Sequence, residues 1–309
     1  MKDGLEIVMD SWSQKDIYAE IERIKGFIRE FVYDEESIVV PVSGGVDSDV
    51  VARLCCESVG KAGVRLFIVI QSEMEEKFLK HARTLSKELE VPLAEIHLEQ
   101  MNAELMRALE QGDHGGLFRT DILLDPAKAK CSLRSAVISS YQDKGFLIAG
   151  TMNKTEKQLG FFLTFGDNLA NFKPVAHLYK TQLRELARCL GTAEEVIDQE
   201  PSAGWWEGQT DREDLAYWIV NDGPVVIPRE FTEEEIRRAG KIKDELTLDK
   251  TDEVLMLKEQ GMKPAEIAAH VKLSEDIISG LFHIVEKSKR LKNREIMVEI
   301  GERDCYITN

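Results

Sequence analysis

The chain has 309 residues, 43% of them hydrophobic, enough for one large domain with an appendage and a substantial core. A formal net charge of −16 excludes retention on nucleic acid or an anionic membrane by bulk electrostatics, and no run approaches the roughly 18 apolar residues of a spanning helix. The five cysteines form no C-x-x-C pair and share no metal spacing with the six histidines, and no signal-peptide pattern precedes the first periodic segment, so a reduced, cytoplasmic protein is expected.

Ile17, Ile21, Ile24 and Ile28 recur at helical spacing and predict an amphipathic helix from Asp16 onward. The stretch Val39-Val40-Pro41-Val42-Ser43-Gly44-Gly45-Val46-Asp47-Ser48 then reads as a strand, an anion-cradling turn and a helix start. Glycines let backbone N–H groups approach a phosphate, serines add hydroxyl donors, and the helix contributes its positive end. The turn lacks the lysine of G-x-x-x-x-G-K-[ST], so it is not the usual nucleoside-triphosphate loop. Val50, Val51, Leu54 and Cys55 continue the helix to the Gly60/Gly63 punctuation, and Val64 to Ile70 reads as a second strand.

Phe78, Ala82, Leu85 and Leu89 mark a third helix, and Leu93 to Leu98 a short strand carrying His97. Strands alternating with helices of this length predict a parallel, doubly wound sheet, whose ligands bind beyond the carboxyl ends of the strands. Residues 112–125 are expected as a mobile loop, Ala127 to Tyr141 as a helix, and Phe146-Leu147-Ile148-Ala149 as a buried strand ending at Gly150-Thr151. Residues 160–173 have no periodicity and predict an ordered site loop, and Tyr179 to Leu190 predicts a helix stopped by Gly191. Residues 200–208, with Trp205-Trp206, read as irregular; the tryptophans are expected to pack. Residues 209–246 read as an acidic, exposed insertion, and three short helices are expected near 251–260, 263–271 and 274–290. The organisation expected is a catalytic unit over 1–212, an insertion over 213–246 and a helical C-terminal appendage over 247–309.

The turn Ser43 to Ser48 resembles the S-G-G-x-D-S loop of the ATP pyrophosphatases, and four further motifs extend the likeness. Gly150-Thr151-Met152-Asn153-Lys154-Thr155-Glu156 is similar to G-T-x-N-K-x-E, Gly166-Asp167 to a Y-G-D turn, Leu178-Tyr179-Lys180-Thr181 to L-Y-K-T, and Pro201-Ser202-Ala203 with Gly208-Gln209-Thr210-Asp211 to P-[ST]-A and G-Q-T-D. In that order they resemble the ammonia-dependent NAD synthetase family, over roughly 15–212 and more loosely over 244–295. The resemblance implies an adenine-nucleotide alpha-hydrolase-like fold and a ligase that adenylates a carboxylate, releases pyrophosphate and admits ammonia. It also implies the substrates ATP and deamido-NAD or another acid, Mg²⁺, and a homodimer; the nitrogen would come from free ammonia or a separate glutaminase subunit.

On this resemblance Ser43, Gly44, Gly45 and Ser48 hold the pyrophosphate, Asp47 and Glu156 ligate Mg²⁺ through hard carboxylate oxygens, Lys180 and Ser202 contact phosphates and adenylate, and Thr151 lies where ATP binds. Gly166, Asp167, Asn168 and Asn171 fall where the family holds its acid. There the chain departs from K-Y-G-D-G-G-x-D: Thr164, Asn168, Leu169 and Asn171 replace the lysine, both later glycines and the last aspartate. Lys128, Lys130 and Arg134 supply cations to a helix that resembles A-R-x-R-M only in part. The acceptor side is thus altered while the ATP side is kept. Two other readings are a tRNA-modifying ATP pyrophosphatase, with Cys131 its one candidate thiol, and a helix-turn-helix DNA-binding protein suggested by residues 264–274; both meet the acidic charge and want of a basic face. His97, His114 and His177 have no partner spacing and are expected to be structural or exposed.

Overall fold

The computed structural model describes residues 12–33, 36–71, 74–122, 124–161, 169–204, 208–225 and 229–292. Helix α1 (Gln14–Phe31) opens on a capping box, Ser13 Oγ accepting from the Asp16 N–H and Asp16 from the Ser13 N–H, and buries the four isoleucines of its stripe. Strand β1 (Ile38–Pro41) leads through residues 42–45 into α2 (Val46–Val59), which Gly60 ends. Then follow β2 (Val64–Ile70), α3 (Glu76–Leu89), β3 (Leu93–His97), α4 (Glu99–Gly112), α5 (Leu124–Gln142) and β4 (Leu147–Ile148).

The four strands are parallel in the order β3-β2-β1-β4, with Ile38 of β1 opposite Val64 on one side and Leu147 on the other. Alternate residues face opposite ways, and both faces are apolar: Ile38, Val40, Leu66 and Ile68 join the cluster beneath α1, α2, Leu183 and Leu186, while Val39, Phe67 and Val69 meet Leu133, Val137 and Tyr141 of α5. Residues beyond β4 extend the sheet, for the Asn171 N–H donates to the Ile148 carbonyl at 2.9 Å and Ala149 bridges Phe172. The order of the strands reverses direction at β1, with β2 to one side and β4 to the other. The crevice outside the carboxyl ends of β1 and β4 is therefore the switch point where such sheets take their ligands.

The rest is helical: α6 (Lys154–Leu159), α7 (Lys180–Cys189), α8 (Glu194–Ile197), α9 (Asp211–Val220), α10 (Glu233–Glu245), α11 (Leu248–Glu259), α12 (Pro264–Val271) and α13 (Glu275–Lys292). None of the described helices is long and apolar enough to cross a membrane.

Two stretches differ from the sequence reading. Helix α4 fills residues before 112 that the apolar spacing left without an element, because its buried face is only Asn102 and Met106. Residues 209–246 are not an exposed insertion: α9 and α10 pack on each other and bury Leu215, Ala216, Ile219, Ala239 and Ile242 in a third cluster shared with α11, α12 and α13. The acidic residues that suggested exposure cap helices instead; Thr232 and Glu235 form a reciprocal capping box on α10. Residues 264–274 form α12 and its turn, with Ile267, Ala268 and Val271 buried in that same cluster.

Candidate active site

Gly44 turns the chain after β1 with φ +81°, and a Cβ there would stand 2.2 Å from the Phe78 carbonyl oxygen of α3. Only glycine lets the loop lie this close to that backbone. Ser43 and Ser48 close the turn on themselves: the Ser43 N–H donates to Ser48 Oγ at 3.1 Å, Ser48 Oγ donates to the Gly45 carbonyl at 3.0 Å, and the Gly45 N–H donates to Ser43 Oγ at 3.3 Å. Gly45 is the N-cap of α2 and offers no side chain to the first-turn amides, so those donors point out at the crevice. His81 approaches the Gly44 carbonyl at 3.2 Å from the other side.

Across the crevice, α6 begins at the end of β4. Asn153 is its N-cap, fully buried: its Oδ1 accepts from the Glu156 N–H at 2.9 Å, and Glu156 Oε2 accepts from the Asn153 N–H at 3.2 Å. The same carboxamide donates through Nδ2 to Asp47 Oδ1 at 2.8 Å, joining α6 to α2. Lys180, at the start of α7 and 5% exposed, donates its ammonium to Asp47 Oδ2 and lies 3.7 Å from Glu156 Oε1. Asp211, first residue of α9, lines the same 40 Å³ cavity as Glu156, Lys180 and Asn153.

One ammonium among three carboxylates leaves an excess of negative charge in a poorly hydrated place. Burial first, and then the neighbouring Asp47, push the Glu156 carboxyl up to about 8, the Lys180 ammonium opposing the rise. Burial pushes Asp211 up to about 6 in the same way. Lys180 is penalised by burial, but Asp47 and Glu156 outweigh that cost and hold its pKa above the ordinary lysine value. Such a cluster suits a further cation. Among the described residues no three His, Cys, Asp or Glu side chains are arranged as a complete metal cage. Two facing carboxylates are nevertheless the donor set with which Mg²⁺ is commonly held when substrate phosphates complete its shell, so Asp47 and Glu156 fit that ion.

Of the residues singled out in the sequence, Ser43, Gly44, Gly45, Asp47, Ser48, Glu156 and Lys180 come together at this crevice. Thr151 sits half-buried in the turn after β4, beside Gly150, where a Cβ would meet Ala170 at 2.7 Å. Ser202 lies in an irregular strap next to Pro201, a wall of the same cavity, and its Oγ accepts from the Gly204 N–H at 3.0 Å. Asn171 is placed differently from its expected role: its Oδ1 accepts from the Ile148 N–H at 2.8 Å and from Gln142 Nε2 at 3.1 Å, so it finishes the edge of β4. Gly166, Asp167, Asn168, Trp205 and Trp206 lie outside the described residues.

Lys128, Lys130 and Arg134 lie on α5, where Gln71 at the end of β2 donates to the Lys130 carbonyl and accepts from Arg134 Nε, each at 3.0 Å. Among the described residues no cysteine lines the cavity with Glu156 and Lys180. Sequence reasoning missed Asn153 and Asp211 as site residues, although both stand inside motifs already recognised; what identifies them is the burial and charge of their surroundings.

Known proteins resemble the chain along most of its length. The family model described as NAD synthase matches residues 20–247. The NH(3)-dependent NAD(+) synthetase of Methanocaldococcus jannaschii is 27% identical over 272 residues, spanning 87% of this chain and 92% of that protein. Among solved structures, the NMN synthetase of Francisella tularensis superposes with a TM-score of 0.70 at 19% identity, over 92% of this chain and 98% of that one. The NH3-dependent NAD synthetase of Campylobacter jejuni subsp. jejuni, solved with a nitrate ion, does so with 0.64 at 21% identity, over 92% and 99%. These two likenesses bear on the fold, and the match across three quarters of the sequence bears on descent: the chain belongs to the NAD synthase family, ATP-dependent ligases that release AMP as they form an amide.

Proposed function

We propose that this protein amidates the nicotinate carboxylate of deamido-NAD with ammonia at the expense of ATP, giving NAD, AMP and pyrophosphate. The observation that carries the reading is the meeting of Asp47, Lys180 and Glu156 beside the Ser43 to Ser48 turn, at the carboxyl ends of β1 and β4. A carboxylate oxygen of the acid attacks the α-phosphorus of ATP and the bond to the β-phosphate oxygen breaks, so pyrophosphate leaves. Ammonia then adds to the acyl carbon, AMP departs with the C–O bonding pair, and the nitrogen loses a proton.

This chain's own residues supply placement and charge. Gly44, Gly45 and the first amides of α2 receive the β- and γ-phosphates, and the Ser43 and Ser48 hydroxyls close around them. Lys180, already desolvated, exchanges Asp47 for phosphate oxygens and stabilises charge as the α–β bond breaks. Asp47 and Glu156 would hold Mg²⁺, which when bound supplies charge neutralisation on the triphosphate. Ser202 and Thr151 border the adenylate. A groove of about 950 Å³ between α1, α6 and residues 173–177, lined by Arg23, Phe27, Lys157 and Lys173, offers room and positive charge for a dinucleotide acid.

A second reading, the same chemistry on a shorter acid, is favoured by one observation: Asn171, which stands where the family has an acid-binding aspartate, spends its side chain on β4. The test supplies the protein with Mg²⁺, ATP and ammonium and offers deamido-NAD and nicotinate mononucleotide separately. NAD, AMP and pyrophosphate in equal amounts from the first acid support the proposal. Turnover confined to the mononucleotide moves the assignment to the second reading, and silence with both acids overturns both readings.

A further inference from the structure

Helix α7 has only part of a cap in its own sequence, Gln182 Oε1 accepting the Tyr179 N–H at 3.0 Å. Its cap residue Tyr179 offers no side-chain bond to the first-turn amides, and that turn carries no acidic residue, although Lys180 is its first residue. The acceptor for its first-turn amide comes from 71 residues away. Asp252, on α11 and fully buried, accepts the Thr181 N–H on Oδ2 at 2.9 Å. Its Oδ1 accepts from Thr155 Oγ1 at 2.5 Å, and Thr155 Oγ1 in turn accepts from the Lys180 N–H at 3.0 Å. Thr155 immediately precedes Glu156 on α6. One carboxylate thus ties the backbone of Lys180 and Thr181 to the residue beside Glu156, and does so from a helix that lies outside the 20–247 match to the family.

The burial is costly for a carboxylate unless it serves these donors, to which the Thr181 side chain and the nearby Lys180 charge add. Alanine there would leave the Thr181 amide and the Thr155 hydroxyl unpaired and release the start of α7, while Asp47 and the Ser43 to Ser48 turn would keep their own bonds. A buried hydrogen-bonded tie of this kind fixes orientation to a fraction of an ångström, which is the tolerance that transfer chemistry demands.

We propose that Asp252 is a positioning residue for pyrophosphate release, acting through Thr155 and the α7 backbone to hold Lys180 and Glu156 on Asp47. The proposal rests on the ligase reading above. Its test measures single-turnover pyrophosphate release, normalised to the folded fraction, in Asp252→Ala, Asp252→Asn, Thr155→Ala, Thr155→Ser and the double variant Asp252→Ala/Thr155→Ala. The expected result is a fall in the rate of about 10- to 100-fold for Asp252→Ala and for Thr155→Ala, with KM for ATP moving less than about threefold. Thr155→Ser keeps the hydroxyl and is expected within about threefold of wild type, and the double variant no slower than the slower single, because both cut one tie.

Asp252→Asn keeps an acceptor for the Thr181 amide and decides the matter if the alanine variant does not fold; its expected rate lies between wild type and Thr155→Ala. Variants that turn over at the wild-type rate per folded molecule, with only their melting lowered, overturn the proposal. So do losses that multiply in the double variant. Wild-type protein inert toward every acid removes the ligase reading itself, a result distinct from an active wild type with equally active variants.

Discussion

The Asn153 carboxamide donates to Asp47 on α2 at 2.8 Å and accepts the Glu156 N–H on its own helix at 2.9 Å. A single buried amide therefore sets the distance between the two carboxylates. Asn153→Ala removes both bonds; loss of the cap alone costs about 1 kcal/mol, and the expected melting temperature falls accordingly. Asn153→Asp keeps the cap acceptor but turns an oxygen toward Asp47. It is expected to release pyrophosphate more slowly than the alanine variant, which a coupled pyrophosphate assay on both proteins reads.

Lys180→Met leaves Asp47, Glu156 and Asp211 without their ammonium in a buried setting. Removing one partner of such a group typically costs about 3–5 kcal/mol, so chemical unfolding should show a midpoint well below wild type. Asp47→Asn relieves charge repulsion instead and is expected to fold normally while losing pyrophosphate release. Undiminished activity would remove Asp47 from the metal-binding role.

Gly44→Ala and Gly45→Ala separate folding from phosphate binding. At Gly44 the added methyl meets the Phe78 carbonyl and φ is +81°, so a loss of about 1–3 kcal/mol of stability or more is expected in the ligand-free protein. At Gly45 the nearest atom is Ser43 Oγ at 3.4 Å and φ is −99°, so melting should be little changed. If the turn receives the phosphates as proposed, the methyl there obstructs them and KM for ATP should rise.

Stability of the ligand-free protein should fall with rising pH. Glu156, raised from 4.5 to about 8, and Asp211, raised from 3.8 to about 6, hold protons in the folded state that the unfolded chain has already released. Their contribution is complete below pH about 4 and is lost as pH climbs through those two values. Glu156→Gln keeps an uncharged side chain at every pH and should flatten the decline between pH 6 and 9 in thermal melts; an unchanged slope would show that other groups govern it.

The sheet was legible because strands buried on both faces read as unbroken apolar runs: Val64 to Ile70 is β2 in both readings. The meeting of the Ser43 to Ser48 turn, Glu156 and Lys180 at one crevice was legible because each carries a short local pattern. Residues 209–246 misled for a physical reason. Helices α9 and α10 bury few large side chains each and hold their acids at N-termini, so composition looked like surface while the third cluster took their apolar face. Asp252 left no local sign at all, because the amides it serves are supplied by α7 and become its partners only after the chain has folded back.

The ties that make the site also set when it can exist. Asp47 meets Lys180 across 133 residues of chain, and Thr155 meets Asp252 across 97. Contacts of that span are late and slow to close, since the entropy of ordering the intervening chain comes before any return. A ribosome-bound chain that already displays β1 to β4 and the Ser43 to Ser48 turn still lacks α11, and with it the Asp252 acceptor for the start of α7. Nascent chains are thus expected to stay catalytically silent until the residues around Asp252 have cleared the exit tunnel, however early the nucleotide-binding sheet takes shape.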